Sequence, residues 1–149
     1  MNAFAAVNTY RKVGIESAVG GSDPHELISM LFQGALLAIA EARYQMEHRE
    51  IAAKGRSISK ALAIIDEGLF ASLNMEAGGK IAEDLGALYV YMMRRLMTAN
   101  KDNDLTILDE VARLLGELAG AWNAVRHQAV SPGQTSNVSL GATRAQPVN

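Results

Sequence analysis

Apolar residues recur at intervals of three and four in four separate stretches of this chain, and short polar clusters divide the stretches from one another. The second stretch runs Ile58, Leu62, Ile65, Leu69, Leu73, and the last runs Leu105, Leu108, Val111, Leu115, Leu118, Trp122, Val125. This spacing places the apolar side chains along one face of an α-helix, whereas a half-buried strand would alternate at every second residue. Four such helices joined by short connections bury their stripes best as an antiparallel bundle. The expected fold is therefore all-α, an antiparallel four-helix bundle, with strands essentially absent.

Local signals set the boundaries. Asp23 is placed to cap the first helix, Pro24 suits its first position, and Glu26 stands three residues after the cap to return a hydrogen bond. That helix is expected to run to about His48. The polar, Gly-containing stretch 49–56 is read as the first reversal, and the second helix comes after it. Ser72 to Gly79, with two glycines able to take positive φ, is read as the second reversal, giving a third helix over about 80–99. Asn100-Lys101-Asp102-Asn103-Asp104 forms the third turn, and the fourth helix ends near Gln128. Residues 1–21 carry scattered apolar positions and read as an arm docked on the bundle of residues 22–129. Residues 130–149 are Ser, Pro, Gly, Gln, Thr and Asn-rich, the composition of a disordered tail.

Composition narrows function. A net charge of −2 provides no broad basic field, so nucleic acid is not an expected partner. Without cysteine there is no disulfide, thiolate nucleophile or thiolate zinc site. The first ten residues lack a basic start followed by a long apolar run, and no window has about 18 uninterrupted apolar residues. A soluble, cytoplasmic protein without membrane insertion is expected.

No catalytic pattern stands out. None of His25, His48 and His127 has a Glu three residues before it, as a di-iron bundle requires. Each reads most simply as a surface or helix-end residue. Haem attachment, phosphate-binding glycine loops and nucleophile elbows are absent from the sequence, and no cofactor is expected. Arg94-Arg95 and Arg11-Lys12 read as solvated charges. An all-helical mutase using arginines against a small dicarboxylate is the best enzyme alternative, and ordered density for a diacid in an internal pocket would support it. The favoured reading is not an enzyme.

The apolar surface exceeds what a bundle stripe needs. All but six of the positions 27–46 are apolar, and Ala87-Leu88-Tyr89-Val90-Tyr91-Met92-Met93 is apolar around nearly two turns. Central placement in the bundle explains part of this. A second contact face for a partner explains the rest, and Met30, Met46, Met75, Met92, Met93 and Met97 would let such a face adapt. An arm bearing Phe4, Val7 and Tyr10 could cover that face while it is empty. Unchanged partner affinity after deletion of residues 1–18 would count against this hypothesis.

Several segments, in order, carry a resemblance. They are Val7-x-x-Tyr10, Asp23-Pro24-His25-Glu26-Leu27-Ile28-x-Met30-Leu31-Phe32-x-Gly34-Ala35, and Leu69-x-x-Ser72-Leu73-Asn74. Gly78-Gly79-x-Ile81-Ala82-x-x-Leu85-x-x-Leu88-Tyr89-x-Tyr91-Met92 and a late Trp122 complete the set. Over about residues 7–125 the chain resembles the FliS flagellar secretion chaperones. The resemblance implies a bundle that binds the C-terminal segment of flagellin in the cytoplasm, prevents its premature polymerisation and delivers it to the flagellar export gate. It implies that Val7 and Tyr10 serve as N-terminal apolar anchors. Helices two and three would supply the groove, with Leu69, Leu73, Asn74, Ile81, Leu85, Tyr89 and Met92 as partner contacts. Asn74 reads equally well as a helix-ending residue in the left-handed region. Tyr89 and Tyr91 lie about 200° apart on a helix, so one of them is core. A monomer or weak homodimer is expected. An adaptor or anti-regulator binding another helical client, or a self-associating structural bundle, are the alternative functions.

Overall fold

The computed structural model describes residues 23–130, with side chains described as far as residue 125. Helix α1 spans Pro24–Glu47, α2 spans Ile51–Ala63 and continues as a π-helical segment over Ile64–Phe70, α3 spans Met75–Asp102 and α4 spans Leu105–Val130. No strand occurs among the described residues. α1 packs on α2 and α4, and α3 packs on the same two, so α1 and α3 lie diagonally across the bundle. The starts of α1 and α3 and the ends of the α2–π unit and α4 therefore share one end of the molecule. The docked arm and the tail expected from the sequence lie outside the described residues.

Each helix begins where its local chemistry directs. Asp23 accepts the Glu26 amide at 2.7 Å and Pro24 occupies the first helical position. Asp104 accepts the Thr106 amide at 2.9 Å and its hydroxyl at 2.6 Å, which closes the start of α4. The core is aliphatic: Leu31, Ile39, Ile58, Ile64, Ile65, Met92, Leu96, Leu108, Val111 and Leu115 are fully buried. Ala35, Ala38, Ala42, Ala61 and Ala99 are buried between them and let the helices approach closely. By length and composition α1 would be apolar enough to cross a membrane, but its stripe from Leu27 to Met46 faces this core.

Two boundaries differ from the sequence expectation. The first reversal takes only His48–Glu50, with Arg49 at φ 59°, and α2 already starts at Ile51. Gly55 is inside the helix because tertiary contacts hold the segment on both sides of it. Lys54, 4% exposed, donates from Nζ to the Asn100 carbonyl at 2.8 Å and to Asn103 Oδ1 at 2.5 Å. Ser57 Oγ lies 2.7 Å from the Gln45 amide group. The second difference is that α3 starts at Met75 rather than near 80. Gly78-Gly79 kinks it instead of preceding it, with Gly79 at φ 54° and ψ −129°. Asn74 is consequently not a left-handed helix end. It is the N-cap of α3, at φ −107° and ψ 98°, and its side chain accepts the Ala77 amide at 3.0 Å. The left-handed asparagine is Asn103, at φ 52°, where α3 stops.

Candidate functional site: an apolar groove at one end of the bundle

The end where α1 and α3 begin carries a groove of about 610 Å³. Ile28 and Phe32 of α1, Leu69 of the π-helical segment and Tyr89 of α3 line it as buried residues of the core. Ile81 and Leu85 of α3 form one wall, and Leu118, Ala121, Trp122 and Val125 of α4 form the other. Ser72, Leu73, Asn74, Ala77 and Gly78 close the end between α2 and α3. Ile81 at 72% exposure and Val125 at 51% are large apolar side chains left to solvent at its rim.

Local sequence explains how the groove is kept open and shaped. In the π-helical segment the Ala71 amide reaches back five residues to the Asp66 carbonyl at 3.1 Å. This wider turn carries an extra residue and rotates the chain beyond it, bringing Ser72 and Leu73 to the groove. Leu73 and Met75 then fold back over Gly86, where an added Cβ would meet Met75 Cε at 3.2 Å and Leu73 Cδ1 at 3.5 Å. At Gly78 a Cβ would meet that of Ala82 at 2.6 Å, so only glycine permits the turn of Met75–Gly78 to sit this close. On the opposite wall, Trp122 stacks on His25 with ring centroids 4.0 Å apart and donates its indole N–H to the His25 carbonyl at 2.9 Å. Ser29 donates to Asn123 at 2.9 Å beside it. These contacts fasten the end of α4 to the start of α1, and they place His25 against a ring rather than at a free helix end.

Among the described residues, no Asp, Glu, Lys, Arg or His lines the groove. The titratable group among its described residues is the Tyr89 phenol, pushed up to about 12 by burial and neutral near pH 7. An apolar surface of this kind excludes charge and rewards the burial of apolar side chains, and it supplies no acid–base pair. The ion pair of Lys80 with Asp84 at 3.1 Å, on α3 next to the groove residues Ile81 and Leu85, is solvent-exposed.

Of the residues expected from the sequence to meet a partner, Leu69, Leu73, Asn74, Ile81, Leu85 and Tyr89 are all brought to this groove. Met92 is not: it is fully buried in the core. Val7 and Tyr10 lie outside the described residues. Between the two tyrosines, Tyr89 is buried and Tyr91 is exposed, hydrogen-bonded through its hydroxyl to Glu110. Arg95, read as a solvated charge, donates from Nε to the same Glu110 at 2.9 Å and is half-buried. The methionines largely fill the interior: Met46 and Met92 are buried, Met30 and Met93 pack on the core, and Met75 and Met97 are exposed. Sequence reasoning missed that α1 and α4 contribute to the groove. The signal was available in Leu118, Ala121, Trp122 and Val125, whose 3-1-3 spacing marks a second face beside the core stripe.

Comparison with known proteins is consistent along most of the chain. The family model of the flagellar protein FliS matches residues 6–129. The flagellar secretion chaperone FliS of Salmonella typhimurium is 45% identical over 129 residues, which cover 87% of this chain and 96% of that one. The flagellar secretion chaperone FliSB of Pseudomonas aeruginosa is 44% identical over 127 residues, 85% of this chain and 100% of that one. The FliS of Bacillus subtilis is 35% identical over 107 residues, 72% and 78% of the two chains.

Proposed function

The chain belongs to the FliS family, and from that premise we propose that it is a cytoplasmic flagellar secretion chaperone whose groove holds the C-terminal helical segment of flagellin. The observation that carries this reading is the groove itself: apolar, without a charged group among its described residues, and with Ile81 and Val125 exposed at its rim. Such a surface accepts the apolar face of an amphipathic helix and leaves the polar face in water. Flagellin's terminal segments must not self-associate before export. Burying their apolar face here blocks that association without any covalent step. The same segment would then be delivered, still unpolymerised, to the flagellar export gate. Val7 and Tyr10 are proposed to act as additional apolar anchors from the N-terminal arm.

Calorimetry with monomeric flagellin, intact and lacking about its last forty residues, tests the proposal. Ordering the segment costs several kcal/mol and is offset by burying on the order of 1,000–3,000 Å², so binding should carry a negative heat-capacity change. Tight binding that disappears on truncation, together with suppressed filament growth in light scattering, is the expected result. Equal binding to truncated flagellin, or none to the intact monomer, would remove this function and direct the search to another helical client.

A further inference from the structure

Two hydroxyls in the groove have no hydrogen-bond partner among the described residues. Ser72, 5% exposed, stands where the π-helical segment ends, and its Oγ is sealed from solvent without a donor or acceptor beside it. Tyr89, 3% exposed, rises from α3, and the hydrogen bonds that fix its neighbours do not include its phenol. Buried hydroxyls normally find partners, and one left without a partner costs stability. Trp122 and Asn74, the other polar side chains of the same groove, are engaged: the indole N–H by the His25 carbonyl, the Asn74 Oδ1 by the Ala77 amide. Ser72 Oγ is thus a buried oxygen without a partner and the Tyr89 phenol a hydroxyl without one in the protein, and both fall in the surface already proposed to hold a client.

Resting on that reading, we propose that Ser72 and Tyr89 are specificity-determining residues, whose hydroxyls pair with polar, uncharged side chains set into the apolar face of the client helix. A helical client has satisfied its own mid-helix backbone groups, so the groups it can offer to a groove wall are side chains. A carboxylate or ammonium would lose its hydration in a groove without a counter-charge, which leaves Asn, Gln, Ser and Thr. Reaching Ser72 requires the covering wall to shift slightly. The adjoining turn Met75–Gly78 is joined to the rest of α3 through the positive-φ Gly79, a junction where continuous helix is already interrupted. An entirely apolar helix would bind with both hydroxyls still unpaired, so the pair discriminates against generic hydrophobic segments.

The test uses the full chain with Ser72→Ala and Tyr89→Phe, each removing one oxygen and little else, and the C-terminal segment of flagellin as probe. Thermal melts of the free proteins accompany affinities against the intact segment and against a set in which each Asn, Gln, Ser or Thr is changed singly to Ala. The expected result is that both variants melt no lower than the wild type yet bind the intact segment about tenfold more weakly, the loss vanishing for one Ala-substituted segment per hydroxyl. The proposal is overturned for either hydroxyl if its variant binds as tightly as the wild type, or if its loss persists unchanged across every substituted segment. Failure of the wild type to bind the segment would instead sink the flagellin reading, so the two failures are distinguishable.

Discussion

Gly79 holds φ 54° and ψ −129°, a region that side-chain-bearing residues avoid, and a Cβ placed there meets nothing within 4 Å. Backbone strain alone should therefore penalise Gly79→Ala, by about 1–3 kcal/mol in urea denaturation. Lys54 is the other residue on which a turn depends. It is buried and bonds the Asn100 carbonyl and the Asn103 side chain at the turn between α3 and α4. Lys54→Met would keep the apolar stem and leave both acceptors without their donor, a loss of about 1–3 kcal/mol measured by the same denaturation. Tyr89 adds a pH dependence. Its folded pKa of about 12 lies above its ordinary value of 10.0, so the neutral phenol is favoured in the fold. That contribution is complete below pH 10 and is lost as pH rises from there towards 12. The alkaline fall in melting temperature should be shallower in Tyr89→Phe than in the wild type.

Among the elements, α3 and α4 are tied at the end away from the groove by Glu110, which accepts from Tyr91 and Arg95. Those bonds hold the Glu110 carboxyl below its usual range, the Tyr91 hydrogen bond contributing most. A depressed carboxylate stabilises above its unfolded pKa, and the benefit disappears as pH falls through the folded one, so the affected window lies below about pH 4.5. Glu110→Gln should flatten the acid limb of a pH–melting profile by lowering the neutral plateau towards the acid value. How far the elements were readable from sequence depends on the range of the forces involved. The periodic stripes and the cap at Asp23 depend on residues within four positions, and they gave the four helices and the start of α1, while six of the seven bundle residues that the family resemblance implied as partner contacts line the groove. The start of α2 at Ile51 depends on Lys54 reaching residues 46 and 49 positions away. The π-helical turn and the packing of Met75 on Gly86 are set by tertiary contact in the same way, and no local pattern announces them. Met92 shares the spacing of the groove residues, but α3 turns it inward to the core.

For the whole molecule, one end of the bundle is fastened and yet open. Trp122 on His25 joins α4 to α1, while small residues and the Gly79 kink keep α3 from closing on α4. The central claim is that this opening is where a helical client docks. Ile81 tests it most directly, because at 72% exposure on the groove rim it can be changed without disturbing the core, and Leu37, 60% exposed on α1 and not part of the groove, is a matched control. Calorimetric titration of flagellin's C-terminal segment into Ile81→Asp and Leu37→Asp is the measurement. An Asp at the rim removes the burial of an isoleucine, about 1.5–3 kcal/mol, and sets a charge against an apolar face, so affinity for Ile81→Asp should fall at least about tenfold with Leu37→Asp unchanged. Equal affinities for the two variants, both folded as judged by their melting temperatures, would contradict the claim.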